Sequence, residues 1–260
     1  MERLIKNQFM KLTIAHLYPS LMNIYGDRGN IQTLEYRCKQ RNTTVSINPI
    51  KVKDSLKPGN FDLLFAGGGQ DCQQAIIAKD LQTKKATIQK ASNQGIPILT
   101  ICGSFQLFGQ YFQPFKSPKL KGIGIFNAYT IASKQRKIGN ILIQTDFLTP
   151  ETLIGFENHS GNTYLQDNTQ ALGKVKLGFG NNGQDKTEGA RINNTFGCYL
   201  HGSLLPKNPH FADYLIQTAL EKKYGSIKLK PLNDTLEYQT HQKAIKRAKK
   251  LNSNLLKYIG

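Results

Sequence analysis

Four short apolar runs, KLTIAHLY (11–18), TTVSINPI (43–50), FDLLFAG (61–67) and IPILTIC (96–102), alternate with stretches of helical spacing near 31–41 and over 71–93. Strands that are apolar along nearly their whole length and alternate with helices need cover on both faces, which is the condition of a parallel sheet. The rhythm therefore predicts an α/β fold. After Lys121 the texture changes to GIGIFNAYTIAS, KIGNILIQT, TLIGFENHS and ALGKVKLGFG, apolar pieces broken by Gly and Asn without helical spacing between them. These read as antiparallel strands or hairpins added to the sheet. FGCYLHG (196–202) reads as a returning strand, and PHFADYLIQTALEKKYG (209–225) as an amphipathic helix stopped by Gly225.

With 260 residues, 39% of them hydrophobic, the chain can bury one sizeable core. The expected organisation is an N-terminal extension over 1–10, a catalytic domain over 11–225 and a basic C-terminal helical tail over 226–260. In the tail, Ala244, Ile245, Ala248, Leu251 and Leu255 form one stripe, with Lys243, Lys246, Arg247, Lys249 and Lys250 mostly around it. Such a stripe docks on the domain, on a partner or on a membrane. No run approaches the roughly 18 apolar residues of a membrane span, so a cytoplasmic protein is expected. Lys and Arg outnumber Asp and Glu by 35 to 17, a net charge of +18. That balance favours contact with something anionic, or marks no more than a solvated basic surface. The chain shows no interleaved aromatic and basic stripe of the kind that stacks on nucleic acid.

Cysteines stand at 38, 72, 102 and 198, without a CxxC pair or a companion His at finger spacing, so neither a metal site nor a disulfide framework is expected. Cys102 differs in its setting. In ILTICGSFQLFGQYF (98–112) an apolar strand ends at Cys102 and a helical pattern starts at once, the arrangement of a nucleophile elbow. A thiol there lies at the positive end of a helix dipole, which favours the thiolate. Position alone leaves Cys102 open between this reading and a small buried core residue. Two further features favour chemistry. FAGGGQD (65–71) places Gly67, Gly68 and Gly69 after another strand, at the sheet edge where doubly wound folds bind ligands. Their amides suit the oxyanion that forms when a thiolate attacks a carbonyl. His201, in CYLHGSLLPKNPHFAD, follows a third strand and suits the exchange of protons with a thiol and a leaving amine. No Lys-Ser or Lys-Thr follows the glycines at Walker spacing, so ATP is not expected here. GFGNNG (178–183) matches a dinucleotide fingerprint, but no helical pattern follows it, and GxSxG is absent. No cofactor is expected.

Together, Cys102 with Gly103, Phe105 and Gln106, the GGGQD loop and His201 resemble the class I, cobyric-acid-synthase-like glutamine amidotransferases. HLYPSLMNIYGDRGN (16–30), RKIGNI (136–141), GFENHSGNTYL (155–165), GFGNNGQDKTEGAR (178–191) and YLHGSLLPKNP (199–209) extend the resemblance over most of 11–215. It implies a flavodoxin-like fold and hydrolysis of the glutamine side-chain amide to glutamate and ammonia. Cys102 would form the glutamyl thioester and His201 would shuttle the proton. Arg136, Gly68, Gly69, Gly103 and Gln106 would bind substrate, Arg136 by a two-pronged clamp on a carboxylate.

Two departures stand out. Related enzymes often read Cys-Gly-Gly where this chain has Ser104, and many carry an acid two residues after the catalytic His, where this chain has Ser203. The carboxylate that orients His201 is then expected from a partner chain or from Glu157, Asp27 or Asp71. His159 is a rival base, better suited to a structural hydrogen bond. The resemblance further implies a separate ATP-dependent partner, a MurT-like subunit related to the Mur ligases, that amidates D-glutamate in lipid II. A corrinoid is the alternative acceptor. A silent basic scaffold of the same fold is the reading from another class. A membrane-bound acceptor would also give the positive charge a use at the inner leaflet.

Overall fold

The computed structural model describes residues 10–167 and 169–259, with side chains through Leu251. The expected extension over 1–10 thus lies almost wholly outside the described residues, as does the side chain of Leu255. In chain order the elements are β1 (Lys11–Leu17), α1 (Arg28–Lys39), β2 (Thr44–Ile50), β3 (Leu63–Ala66), α2 (Asp71–Asn93), β4 (Ile98–Ile101), α3 (Gly103–Phe108), β5 (Tyr111–Gln113) and β6 (Leu120–Lys121). They continue with β7 (Ala128–Gln144), β8 (Thr152–Leu165), β9 (Gly173–Leu177), β10 (Thr187–Glu188), β11 (Ala190–Ile192), β12 (Thr195–Cys198), α4 (Leu204–Lys207), α5 (Pro209–Tyr224) and α6 (Thr235–Ile259).

The first sheet has the order β11-β12-β4-β3-β1-β2, parallel except for β11. Its centre explains the unbroken apolar runs. Every residue of β3, β4 and β12 is buried, whereas β2 at the edge alternates toward solvent. Each fully buried Leu, Ile or Phe there contributes about 1.5–3 kcal/mol by leaving water. The order reverses between β1 and β3, and the carboxyl ends of β1, β3, β4 and β12 open on one edge, where such sheets bind ligands.

The strands after Lys121 depart from expectation. They form a second sheet, β10-β9-β7-β5-β6 with β8 on β7, and only β11 adds an antiparallel strand to the first. The two pieces read as AYTIAS and KIGNILIQT are one strand, β7, paired along β8 with a shift of register between Ala132 and Lys137. An irregularity of this kind re-aims side chains, and Arg136 stands in it. β8 also reaches the first sheet, because Phe156 and His201 exchange backbone hydrogen bonds of 2.7 and 3.2 Å. α6 lays Ile245 and Ala248 on Leu142, Ile154 and Leu177 of the second sheet, with Leu251 exposed at 46%. The tail stripe therefore docks on the domain. No described helix is long and apolar enough to cross a membrane.

Candidate active site

Cys102 sits between β4 and α3 with φ +51° and ψ −106°, a conformation that L-residues rarely hold. The surroundings enforce it. Its amide donates to the Cys198 carbonyl at 2.8 Å, and its carbonyl accepts from the Gln106 amide at 3.0 Å. Gly103 has no alternative at this turn, since a Cβ there would lie 2.4 Å from Gln74 Nε2. Ser104, the departure from the family pattern, uses its hydroxyl to donate to the Gly67 carbonyl at 2.6 Å. It thereby ties the elbow to the glycine loop.

His201 is fully buried, with Nδ1 3.3 Å from Asp27 Oδ1. Nε2 has no full hydrogen bond from the protein. Burial disfavours the imidazolium, but the charge of Cys102 and the hydrogen-bonded carboxylate of Asp27 outweigh it and raise His201 to about 10. The imidazolium is the state this geometry favours for His201. Asp27 is itself fully buried and accepts from the Gly68 amide at 2.6 Å through its other oxygen. One carboxylate thus holds both the histidine and the glycine loop. A Cβ on Gly68 would lie 2.7 Å from His201 Cε1, so glycine is what lets the loop approach. Ser203, at the position where relatives often carry an acid, donates instead to the Gly26 carbonyl at 2.5 Å, one residue before Asp27.

The mouth of the site is built from three segments. Tyr25 meets the His201 ring edge-on with centroids 5.0 Å apart, and its hydroxyl accepts from Asn158 Nδ2 at 2.7 Å. Arg136 Nε donates to Asn158 Oδ1 at 2.6 Å, and one of its terminal nitrogens reaches the same tyrosine at 3.4 Å. An exposed guanidinium is thereby held beside the buried dyad.

The other candidates separate cleanly. Glu157 accepts from the Phe179 and Gly180 amides at 2.6 and 2.9 Å and lies 3.6 Å from His159, whereas Asp71 is exposed in the first turn of α2. His159 stacks on Tyr199 at 3.6 Å and bonds the Gly161 carbonyl, and burial lowers its pKa. It is a structural imidazole. Of the remaining cysteines, burial raises Cys38 to about 12 and Cys198 well above the ordinary range, and Cys72 is exposed on α2.

The profile of the CobB/CobQ-like glutamine amidotransferase domain matches residues 13–209. The chain belongs to that family. The amidotransferase is similar to the lipid II isoglutaminyl synthase (glutamine-hydrolyzing) subunit GatD of Streptococcus pneumoniae strain R6, at 42% identity with 88% of each chain covered. The subunit of the same name from Staphylococcus aureus strain N315 is 40% identical, over 92% of this chain and 96% of that one. A probable cobyric acid synthase of Methanothermobacter thermautotrophicus is more distant, at 26% identity over 76% of this chain and 43% of that one. Among solved structures, a glutamine amidotransferase aligns with a TM-score of 0.52 at 12% identity, covering 79% of this chain and 98% of the other. The glutaminase domain of Trypanosoma brucei CTPS aligns with a TM-score of 0.52 at 11% identity, covering 85% and 96%. Those two likenesses concern the fold.

In the amidotransferase, Cys102, His201, the glycine loop and Arg136 come together at one sheet edge. Two expected binding groups are otherwise engaged. The Gly68 amide is bonded to Asp27, and the Gln106 carboxamide, 6% exposed, accepts from Gln74 at 2.7 Å and donates to the Tyr199 hydroxyl at 3.2 Å. Gln106 braces the elbow from beneath. Gly69 lies against the elbow, its amide nitrogen 3.2 Å from where a Gly103 Cβ would stand. Sequence reasoning passed over Tyr25 and Asn158. Both lie in segments of family resemblance, but neither is of a type that singles itself out.

Proposed function

We propose that the protein is the glutaminase subunit of a two-chain lipid II isoglutaminyl synthase. The observation that carries this reading is the contiguity of Cys102, His201 and Asp27 at the ligand-binding edge of the sheet. Its most similar relatives described above, at 40–42% identity, are subunits of that synthase. The Cys102 thiolate attacks the side-chain carbonyl of glutamine, and the oxyanion is received by the amides of Gly69 and Gly103. His201 gives its proton to the amide nitrogen, the C–N bond breaks, and ammonia leaves a glutamyl thioester on Cys102. Water, deprotonated by His201, then cleaves the thioester and releases glutamate. Asp27 orients the imidazole and stabilises its protonated form, and Arg136 clamps the substrate carboxylate at the mouth.

The ammonia passes to a MurT-type, ATP-dependent ligase subunit, which converts the D-glutamate of the lipid II stem peptide to D-isoglutamine in peptidoglycan synthesis. The chain works in the cytoplasm, at the inner face of the membrane where such an acceptor is found. A corrinoid acceptor has weaker support, since the cobyric acid synthase described above shares 26% identity and is spanned over only 43% of its length. A silent scaffold leaves the strained elbow and the buried dyad without a use. The test mixes the chain with its candidate ligase and follows glutamate release for wild type, Cys102→Ser and His201→Ala. Both variants are expected to lose turnover, and retained turnover in Cys102→Ser overturns the mechanism.

A further inference from the structure

We propose that the outward face of the second sheet is a docking surface for an anionic lipid bilayer. Burial alternates along its strands. Phe112, Thr130 and Thr163 point inward, while Tyr111, Tyr129, Ile131 and Tyr164 point out. The register aligns Tyr111 with Tyr129, Tyr129 with Tyr164 and Tyr111 with Lys121, so these residues share one face across four strands. Tyr111 and Tyr129 stack at 5.2 Å, Tyr129 and Tyr164 meet at 5.3 Å, and Lys119 Nζ covers the Tyr111 ring at 4.2 Å. Beyond the ladder, Phe115 is 45% exposed between Lys116 and Lys134, whose ammonium groups lie 5.6 and 6.0 Å from its ring, and Ile131 is 40% exposed.

The charges placed on or beside this face have one dominant sign. Lys116, Lys119, Lys121 and Lys134 lie there, and Asp167 is an exposed acid just past the Tyr164 end. A linear reading finds no aromatic and basic stripe because the stripe is assembled from separate strands. It is not a base-stacking platform either, since the tyrosine ring faces are taken up by one another and by Lys119. Two purely apolar side chains, Phe115 and Ile131, are left exposed to solvent, with the Lys116 and Lys134 ammonium groups beside Phe115. That combination suits the headgroup boundary of an anionic bilayer, where an apolar group inserts and lysines meet lipid phosphate.

The test needs no ligase and does not depend on the acceptor assigned above. The full chain is sedimented with phosphatidylcholine vesicles, with and without phosphatidylglycerol, and binding is expected only with the anionic lipid. Lys116→Gln, Lys119→Gln and Lys134→Gln are each expected to weaken it about five-fold, and Phe115→Ser with Ile131→Ser roughly ten-fold or more. Glutamine hydrolysis should be unchanged in all of them, which certifies their folding. Lys243→Gln, Lys246→Gln and Lys249→Gln on α6 should leave vesicle binding at the wild-type level. Equal binding to neutral vesicles, wild-type binding by the patch variants, or loss confined to the α6 variants overturns the proposal. So does a face that binds a single-stranded RNA oligonucleotide and ignores the vesicles.

Discussion

Asp27 presents a buried carboxylate to the His201 imidazole, whereas Ser203, two residues beyond that histidine, turns to the Gly26 carbonyl. Asp27→Asn keeps an acceptor for the Gly68 amide but removes the charge, so glutamine turnover is expected to fall about a hundred-fold or more with the fold intact by circular dichroism. Unchanged turnover would assign the carboxylate to the partner. The raised histidine makes a second prediction. His201 stands at about 10 because Cys102 and Asp27 overcome the effect of burial. A folded-state value above the unfolded 6.5 means that the stability contribution of His201 is fully present below 6.5 and is lost as pH rises through about 10. In Cys102→Ser the main favourable charge is gone, and the His201 resonance in a histidine NMR titration should move at lower pH. An unshifted titration would remove Cys102 from the pair. The elbow at Cys102 was legible in the sequence because strand spacing changes to helix spacing at that residue. Asp27 was one acid among three candidates, since its approach to a histidine 174 residues away is a property of the assembled sheet edge.

Among the elements, the parallel strands were legible because burial on both faces leaves unbroken apolar runs, as in LLFA of β3 and ILTI of β4. The second sheet was not, because half-buried strands interrupted by Gly and Asn carry no mark of which sheet they join. Two elements there make predictions of their own. β10 delivers Glu188 to a fully buried place, where burial raises it to about 8 and one oxygen accepts from the Tyr199 amide at 2.5 Å. The group keeps its proton in the folded state, so its stability contribution is fully present below 4.5 and is lost as pH rises through about 8. Glu188→Gln should flatten that decline in denaturant titrations, whereas Glu188→Ala should cost about 1–3 kcal/mol by leaving the Tyr199 amide unpaired. A Glu188→Gln protein that loses stability with pH as steeply as wild type would contradict the assignment. α6 is clasped by His241, which bonds Thr152 and the Lys207 carbonyl, and by His210 beneath it. Burial lowers both, His210 to about 4. A depressed histidine stabilises above its unfolded 6.5 and loses that contribution as pH falls toward about 4. Amide exchange in α6 should therefore accelerate across that window before the first sheet responds, and uniform exchange would show that α6 is not an independent unit.

On the proposed function, the question is what a ligase subunit would add to a site whose proposed nucleophile, base and carboxylate lie in one chain. Cys102, His201 and Asp27 are all buried within one chain, so on the proposed mechanism the chemistry needs no residue from outside. The mouth is another matter. Tyr25 is 41% exposed, and Asn158 and Arg136 beside it stand at the surface, so a substrate bound as proposed and its departing ammonia would both meet solvent there. A partner that covers this mouth would exclude water and keep ammonia from being protonated in bulk, without supplying a catalytic group. The isolated chain is accordingly predicted to release glutamate from glutamine at a measurable rate, abolished by Cys102→Ser. Addition of the ligase should raise turnover and carry the amide nitrogen to product, read with side-chain ¹⁵N-labelled glutamine against unlabelled ammonium. Arg136→Ala should raise KM more than it lowers kcat, because the role proposed for the guanidinium is to hold substrate at the rim, away from the reacting atoms. A chain silent alone, combined with a complex indifferent to Asp27→Asn, would reverse the argument: the buried carboxylate would then be a fold residue, and the third catalytic group would belong to the partner.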